Sequence, residues 1–376
     1  MRIAIVTVNE HPVMYDSGFG VEIFIYTLVH GLKAKGHDVT LYATGDSKVE
    51  CKLEYIHPIG TANDTSILPE HYDSYHTWLY EKAYRNANQY DVIHGQDPLR
   101  TILFSHLLNK PSVATMHNPI KGHRYSLNIF QSFSRQSPTM LVPISSYQKK
   151  QLEPYYPDNT VIHNAIDIKN IEADFDSNKQ NMFYIGRMSK NKGLNYALTT
   201  AVNTKKHIIF SGFIGTDEEN KYYEEEVAPY IVANKNYIEH IPTITGGKKF
   251  KYFSSARLFL FPMIREEPFG LTLIESMATG TPVIAFARGS VPEIIKDGET
   301  GFIVNSSPDD IRGDWKIKKT GIEGLCEAVE RIYSMPNSKY IEMRHACRER
   351  IEKYFTVERM VDEYEAVYEQ ILSRSR

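Results

Sequence analysis

The sequence has 376 residues, 42% hydrophobic and 24% charged, with a formal net charge of -3, a balance that gives no acidic or basic excess demanding a nucleic-acid partner. A chain of this length exceeds the roughly 250 to 300 residues at which one hydrophobic core stops growing, so two domains are expected. Cys51, Cys326 and Cys347 lack metal-ligand spacing and predict reduced thiols in a cytosolic compartment. No apolar run approaches the ~18 residues of a spanning helix, and Met1-Arg2 lead straight into a strand, leaving no room for a signal peptide.

In chain order, I-A-I-V-T-V predicts a strand from Ile3 to Val8, followed by a long loop and a helix near Val21 to Lys35. Strands follow at Val39 to Ala43 and near Val92, Val113 and Leu141, each separated by an amphipathic stretch. The second half repeats the rhythm at Met182 to Ile185, His207 to Phe210, Tyr237 to Ile241, Leu258 to Phe261 and Val283 to Phe286. Runs such as L-F-L-F and P-V-I-A-F are apolar on both faces, as parallel strands covered by helices should be. The fold class is therefore α/β, with two doubly wound sheets. The stretch from Asp167 to Asn181 is polar and lacks apolar periodicity, which predicts domains over 1–167 and from 182 onward with a linker at 168–181.

The segment R-E-E-P-F-G-L-T-L-I-E-S-M-A carries most of the chemistry. A helix begins near Phe269, Gly270, Leu271 and Thr272, so their amides lack intrahelical acceptors and favour an anion such as a phosphate. Glu267 precedes that start and Glu275 lies a turn inside, so the two carboxylates bracket it, within about 12 Å of helix rise.

This block resembles the E-x7-E signature of the family 4 retaining glycosyltransferases of the GT-B fold. Y-I-G-R-M-S-K-N-K-G at 184–193, V-I-H-N-A-I-D at 161–167 and R-G-S-V-P-E-I-I-K-D-G-E-T-G-F-I-V at 288–304 are similar to further blocks of that family, in its order. The resemblance implies two Rossmann-like domains facing a cleft: an acceptor domain over 1–167 and a nucleotide-sugar domain over 182–355. It also implies that residues 356–376 form a helix crossing back onto the first domain; Met360, Tyr364, Val367 and Ile371 have the spacing for it.

On this resemblance Arg187 and Lys192 grip the donor diphosphate, helped by the amides of Phe269 to Thr272. Glu275 accepts from both ribose hydroxyls, and Glu267 orients the transferred sugar. His117 contacts that sugar near the reacting centre. Gly20 holds the second position of the family's Gly-Gly turn against the diphosphate; Phe19 takes the first, a departure from the pattern. His163 and Asn164 match an interdomain block in which Ala165 replaces a glycine. Asp174 and Asp176 spell D-F-D, similar to the metal motif of the other large glycosyltransferase fold, but no apolar strand precedes them and a solvated acidic stretch is expected. No metal and no cofactor are implied, because Arg187, Lys192 and helix amides supply positive potential.

The expected activity is transfer of a hexose, with retention, from a nucleoside diphosphate sugar to an acceptor hydroxyl. UDP-glucose is the first donor and a GDP-sugar, GDP-mannose, stays open. A nucleotide-sugar 2-epimerase of similar fold and a catalytically silent nucleotide-sugar sensor are the alternatives. Between Asp97 and Glu153 the chain has no acid but carries Arg100, Lys110, Lys121, Arg124, Arg135, Lys149 and Lys150, with Tyr125, Phe130 and Phe133 among them. Two readings follow: an anionic or lipid-linked acceptor or peripheral contact with the inner membrane face, or an ordinary solvated basic edge.

Overall fold

The computed structural model describes residues 1–120, 127–134, 137–175 and 178–374. Lys121, Arg124, Tyr125, Arg135 and Asp176 lie outside the described residues. Two compact units are present, one formed by Met1–Ala165 with Thr356–Arg376 and the other by Ile166–Phe355.

The first unit is built on a parallel sheet of β1 (Arg2–Val6), β2 (Asp38–Tyr42), β3 (Lys52–Glu54), β4 (Val92–Gly95), β5 (Ser112–Met116) and β6 (Thr139–Pro143). Their order is β3-β2-β1-β4-β5-β6, so the winding reverses between β1 and β4. Ile3 stands opposite both Val39 and Val92 in that register. Strands β4, β5 and β6 are buried at every position, as expected where helices cover both faces, and they are mainly apolar.

Helix Gly20–Ala34 buries Phe24, Ile25, Leu28, Val29 and Leu32 against β1, β2 and the helix Val357–Arg374. That last helix turns Met360, Val361, Tyr364, Val367, Tyr368 and Ile371 into the same core, so the expected return of the chain to the first unit is present. The approach is close: a Cβ on Gly31 would stand 2.5 Å from Val361 Cγ2.

The second unit repeats the plan with β7 (Met182–Ile185), β8 (Ile208–Ser211), β9 (Ile238–His240), β10 (Leu258–Phe261), β11 (Val283–Phe286) and β12 (Gly301–Val304), in the order β12-β11-β10-β7-β8-β9. All neighbours are parallel and the winding reverses between β7 and β10. Two of the four edge strands, β3 and β12, were not among the predicted strands. K-L-E is too short and polar to show a period, and G-F-I-V was read only as the tail of a motif.

The described residues of the expected linker at 168–181 belong to the second unit. Arg348 Nη1 donates to Ile171 O at 2.9 Å, and fully buried Arg344 donates to Asp174 O at 2.7 Å. A polar stretch whose carbonyls are taken by distant arginines needs no apolar period to be fixed. Asp174 pairs through Oδ2 with buried Lys179 at 2.6 Å.

Candidate active site

In an open parallel sheet, ligands bind beyond the carboxyl ends of the strands where the winding reverses. In the second unit that point lies between β7 and β10. The loop after β7 carries Arg187 and Lys192; the loop after β10 carries Glu267. Ile264 N donates to Asn191 O at 3.2 Å, tying the two loops together. Lys192 Nζ then lies 3.4 Å from Glu267 Oε2 and 3.6 Å from Met263 Sδ. Arg187, five residues before Lys192, places Nε 2.5 Å from Glu219 Oε1 while its side chain is 42% exposed.

The helix after β10 spans Leu271–Ala278, with Gly270 as its N-cap at φ 83°. Glycine is required there: the left-handed conformation is strained for other residues, and a Cβ would come 2.9 Å from Leu273 Cδ1 and 3.3 Å from Glu267 Cγ. The first-turn amides of Leu271 and Thr272 stand at this start beside Glu267. Phe269, whose amide is expected among the anion-binding groups, buries its ring against Phe355, and its carbonyl accepts from Ser290 Oγ at 2.8 Å. Its part is to anchor the loop, since an aromatic side chain before a buried helix start gains more from the core than from solvent.

Glu275 is 4% exposed. Its Oε1 takes Lys249 Nζ at 2.6 Å, and its Oε2 is buried with no partner among the described residues. A buried carboxylate oxygen left open is suited to a ligand hydroxyl. The loop of Glu267 is held from behind by its neighbour Glu266, which receives Gly289 N at 2.7 Å, Arg312 Nη1 at 2.7 Å and Arg288 Nη1 at 3.4 Å. Sequence reasoning missed Glu219, Lys249, Glu266, Arg288 and Arg312. Apart from the doubled acid of R-E-E-P, nothing local marks them.

Gly20 and His117 belong to the first unit. Gly20 opens the helix Gly20–Ala34 without positive φ, after Phe19 in extended conformation, so no left-handed turn fixes a glycine there. Phe19 stacks on His11 with ring centroids 3.7 Å apart. His117 follows β5 and lies 2.8 Å through Nε2 from Gln96 Oε1, with the Phe24 ring edge-on at 4.9 Å. Burial pulls its pKa down to about 3, so the ring is neutral near pH 7. Nε2–H then donates to Gln96, which leaves Nδ1 as an acceptor. At the same strand ends Asn9 is fully buried, and neither side-chain atom of its amide has a partner among the described residues. Glu22, in the first turn of the helix, has its carboxyl pushed up to about 7 by burial, with the Glu10 charge adding to it.

Of the cations in the acid-free stretch, Arg100 is tied to Asp97 and Asp73, and Lys110 Nζ donates to Tyr90 O at 2.5 Å. Among the described residues no helix is long and apolar enough to cross a membrane.

Residues 166–353 match the model of the family described as glycosyl transferases group 1, and residues 19–170 match that of glycosyltransferase family 4. The chain belongs to the group 1 glycosyltransferases. This glycosyltransferase is thereby a nucleotide-sugar-dependent transferase. It is 22% identical to an uncharacterized glycosyltransferase of Methanocaldococcus jannaschii, over 90% of its own length and 95% of the relative's. It is 23% identical to the phosphatidyl-myo-inositol mannosyltransferase of Mycobacterium leprae, over 81% and 83% of the two chains. Sucrose-phosphate synthase from Thermosynechococcus elongatus matches with a TM-score of 0.78 at 20% identity, 99% of each chain being covered. HepE of Anabaena, solved in complex with UDP-glucose, matches with a TM-score of 0.73 at 14% identity, covering 98% of this glycosyltransferase and all of that chain. At such identities the likeness establishes the GT-B fold.

Proposed function

We propose that this glycosyltransferase moves a hexose from a nucleoside diphosphate sugar to an acceptor hydroxyl with retention of anomeric configuration, and that UDP-glucose is its first donor. The observation that carries this reading is the meeting of Lys192 and Glu267, 3.4 Å apart, beside the helix start at Leu271. A cation and free amides suit a diphosphate; a carboxylate next to them suits the hydroxyls of the sugar attached to it. UDP is favoured because HepE was solved with UDP-glucose; the mannosyltransferase of Mycobacterium leprae keeps mannose as the second sugar to test.

As the bond from C1 to the diphosphate breaks, negative charge builds on the leaving oxygen, and Arg187, Lys192 and the amides of Leu271 and Thr272 stabilise it without requiring a metal ion. The acceptor oxygen bonds to C1 on the face the diphosphate leaves, and its proton passes to a phosphate oxygen. Glu275 would take a ribose hydroxyl on its open Oε2. In the first unit taken by itself, His117 would offer Nδ1 as an acceptor for a hydroxyl, and Gly20 would offer the amide of a helix start to an anion.

Release of UDP from UDP-glucose, followed without an added acceptor beside GDP-mannose and ADP-glucose, tests the donor. Lys192→Ala should lower turnover by about 10²- to 10³-fold, as loss of a transition-state donor does, and Glu267→Gln by about 10²-fold, as loss of the acceptor that positions the sugar hydroxyls does. Turnover at the unaltered rate in both variants, or an inverted product by NMR, refutes the proposal. An epimerised donor without UDP release indicates an epimerase, and binding without turnover a sensor.

A further inference from the structure

The diphosphate-gripping arginine is not left to find its own place. Arg187 has a long side chain, 42% exposed, and such a side chain samples many rotamers in water. Four features restrict it. Glu219 Oε1 stands 2.5 Å from Nε, and the Glu219 side chain is itself only 9% exposed. The other oxygen, Oε2, accepts from Gly215 N at 2.8 Å, so the carboxylate bridges the arginine and the loop after β8. Gly215 has no side chain where one would be in the way: a Cβ there would come 3.1 Å from Arg187 Nη2 and 3.5 Å from Cζ. The Phe213 ring supports the guanidinium with Cζ 5.8 Å from its centroid.

The carboxylate is fixed in turn. Glu219 N donates to Thr216 Oγ1 at 3.3 Å, the N-cap bond of the helix Asp217–Tyr222. Carboxylates commonly take arginine by two parallel N–H groups. Here the shortest approach of the ion pair is at Nε, without the alignment of a hydrogen bond, and no hydrogen bond occupies Nη1 or Nη2 among the described residues. Those two nitrogens form a planar fork that matches two oxygens of a diphosphate.

We propose that Glu219 is a positioning residue: it holds Arg187 by Nε so that the Nη1/Nη2 edge is presented to the donor diphosphate. This rests on the donor reading above. It assigns to Glu219 no contact with substrate. Its effect on nucleotide affinity therefore passes wholly through Arg187, and the two residues are not independent.

Calorimetric titration of UDP, with GDP and ADP alongside, into the full chain and its Arg187→Ala, Glu219→Ala, Glu219→Gln and doubly substituted Arg187→Ala/Glu219→Ala forms tests this. Arg187→Ala should weaken UDP by about 10- to 100-fold, the range of one charge-assisted contact. Glu219→Ala should weaken it by roughly 5- to 10-fold, a part of that contact. The double variant should bind no more weakly than Arg187→Ala alone. Glu219→Gln, which keeps the shape, should weaken UDP in the same direction with an unchanged melting temperature. Unaltered UDP affinity in both Glu219 variants overturns the positioning role, as does an equal loss with and without Arg187. Failure of the unaltered chain to bind UDP, GDP or ADP is a different result: it overturns the donor reading and this role with it.

Discussion

Lys249→Met removes the ammonium that lies 2.6 Å from Glu275 Oε1 while keeping most of the apolar stem. The carboxylate left behind is 4% exposed and its other oxygen has no partner among the described residues. Removing one member of a buried pair costs about 3 to 5 kcal/mol, because the remaining charge stays desolvated. The Lys249 side chain is 12% exposed, so water can replace part of the lost contact, and about 3 kcal/mol is expected. With a urea slope of about 2 kcal/mol/M, the unfolding midpoint falls by about 1.5 M. The two tryptophans make the reading specific, since Trp78 lies in the first unit and Trp315 in the second. In a Trp78→Phe background, fluorescence follows the second unit alone. Adding Glu275→Gln removes the stranded charge and should restore at least half of the loss. A single variant that loses under about 1 kcal/mol, or a double variant no more stable than the single, refutes the reasoning.

Other expected outcomes concern the cores and the buried titrating groups. Glu22, whose folded pKa rises from 4.5 to about 7, costs stability that is absent below 4.5, grows as pH rises to 7 and is constant above. At about 1.4 kcal/mol for each tenfold, Glu22→Gln should stabilise the first unit by on the order of 3 kcal/mol near pH 8, with no gain near pH 4 in urea titrations at the two pH values. Buried His94, held between Tyr368 OH at 2.7 Å and Thr115 Oγ1 at 2.8 Å, has its pKa lowered by burial from 6.5 to about 3. Stability should therefore drain as pH falls through that window, where only the unfolded imidazole binds a proton; His94→Gln should flatten this slope in unfolding curves. Arg344→Met strips buried donors from Tyr340 OH at 2.8 Å and Asp174 O at 2.7 Å. It should cost the second unit about 3 kcal/mol or more by Trp315 fluorescence in urea.

The sheets were legible because parallel strands covered on both faces are mainly apolar along their length, and L-F-L-F or P-V-I-A-F can be little else. The edge strand Lys52–Glu54 has three residues, none of them buried, too few to show a period. In the candidate site, Arg187, Lys192, Glu267 and Glu275 stood out because each lies in a short block that resembles a block of the family. Their partners did not, because ion pairing is a property of folded proximity: Lys192 meets Glu267 across 75 residues, and Lys249 meets Glu275 across 26. The same reason hid the clasp on 168–175, whose arginines lie some 170 residues on.

The division of the chain has a consequence for its biosynthesis. A ribosome releases residues 1–165 first, yet Ile3, Phe24, Leu28 and Val92 share their core with Met360, Tyr364 and Tyr368. The amino-terminal half must therefore wait, its oily face uncovered, until the intervening half has been made and had time to fold. A premature stop shortly before Met360 would leave residues 166–355 whole and cripple the part of the protein that was translated earliest.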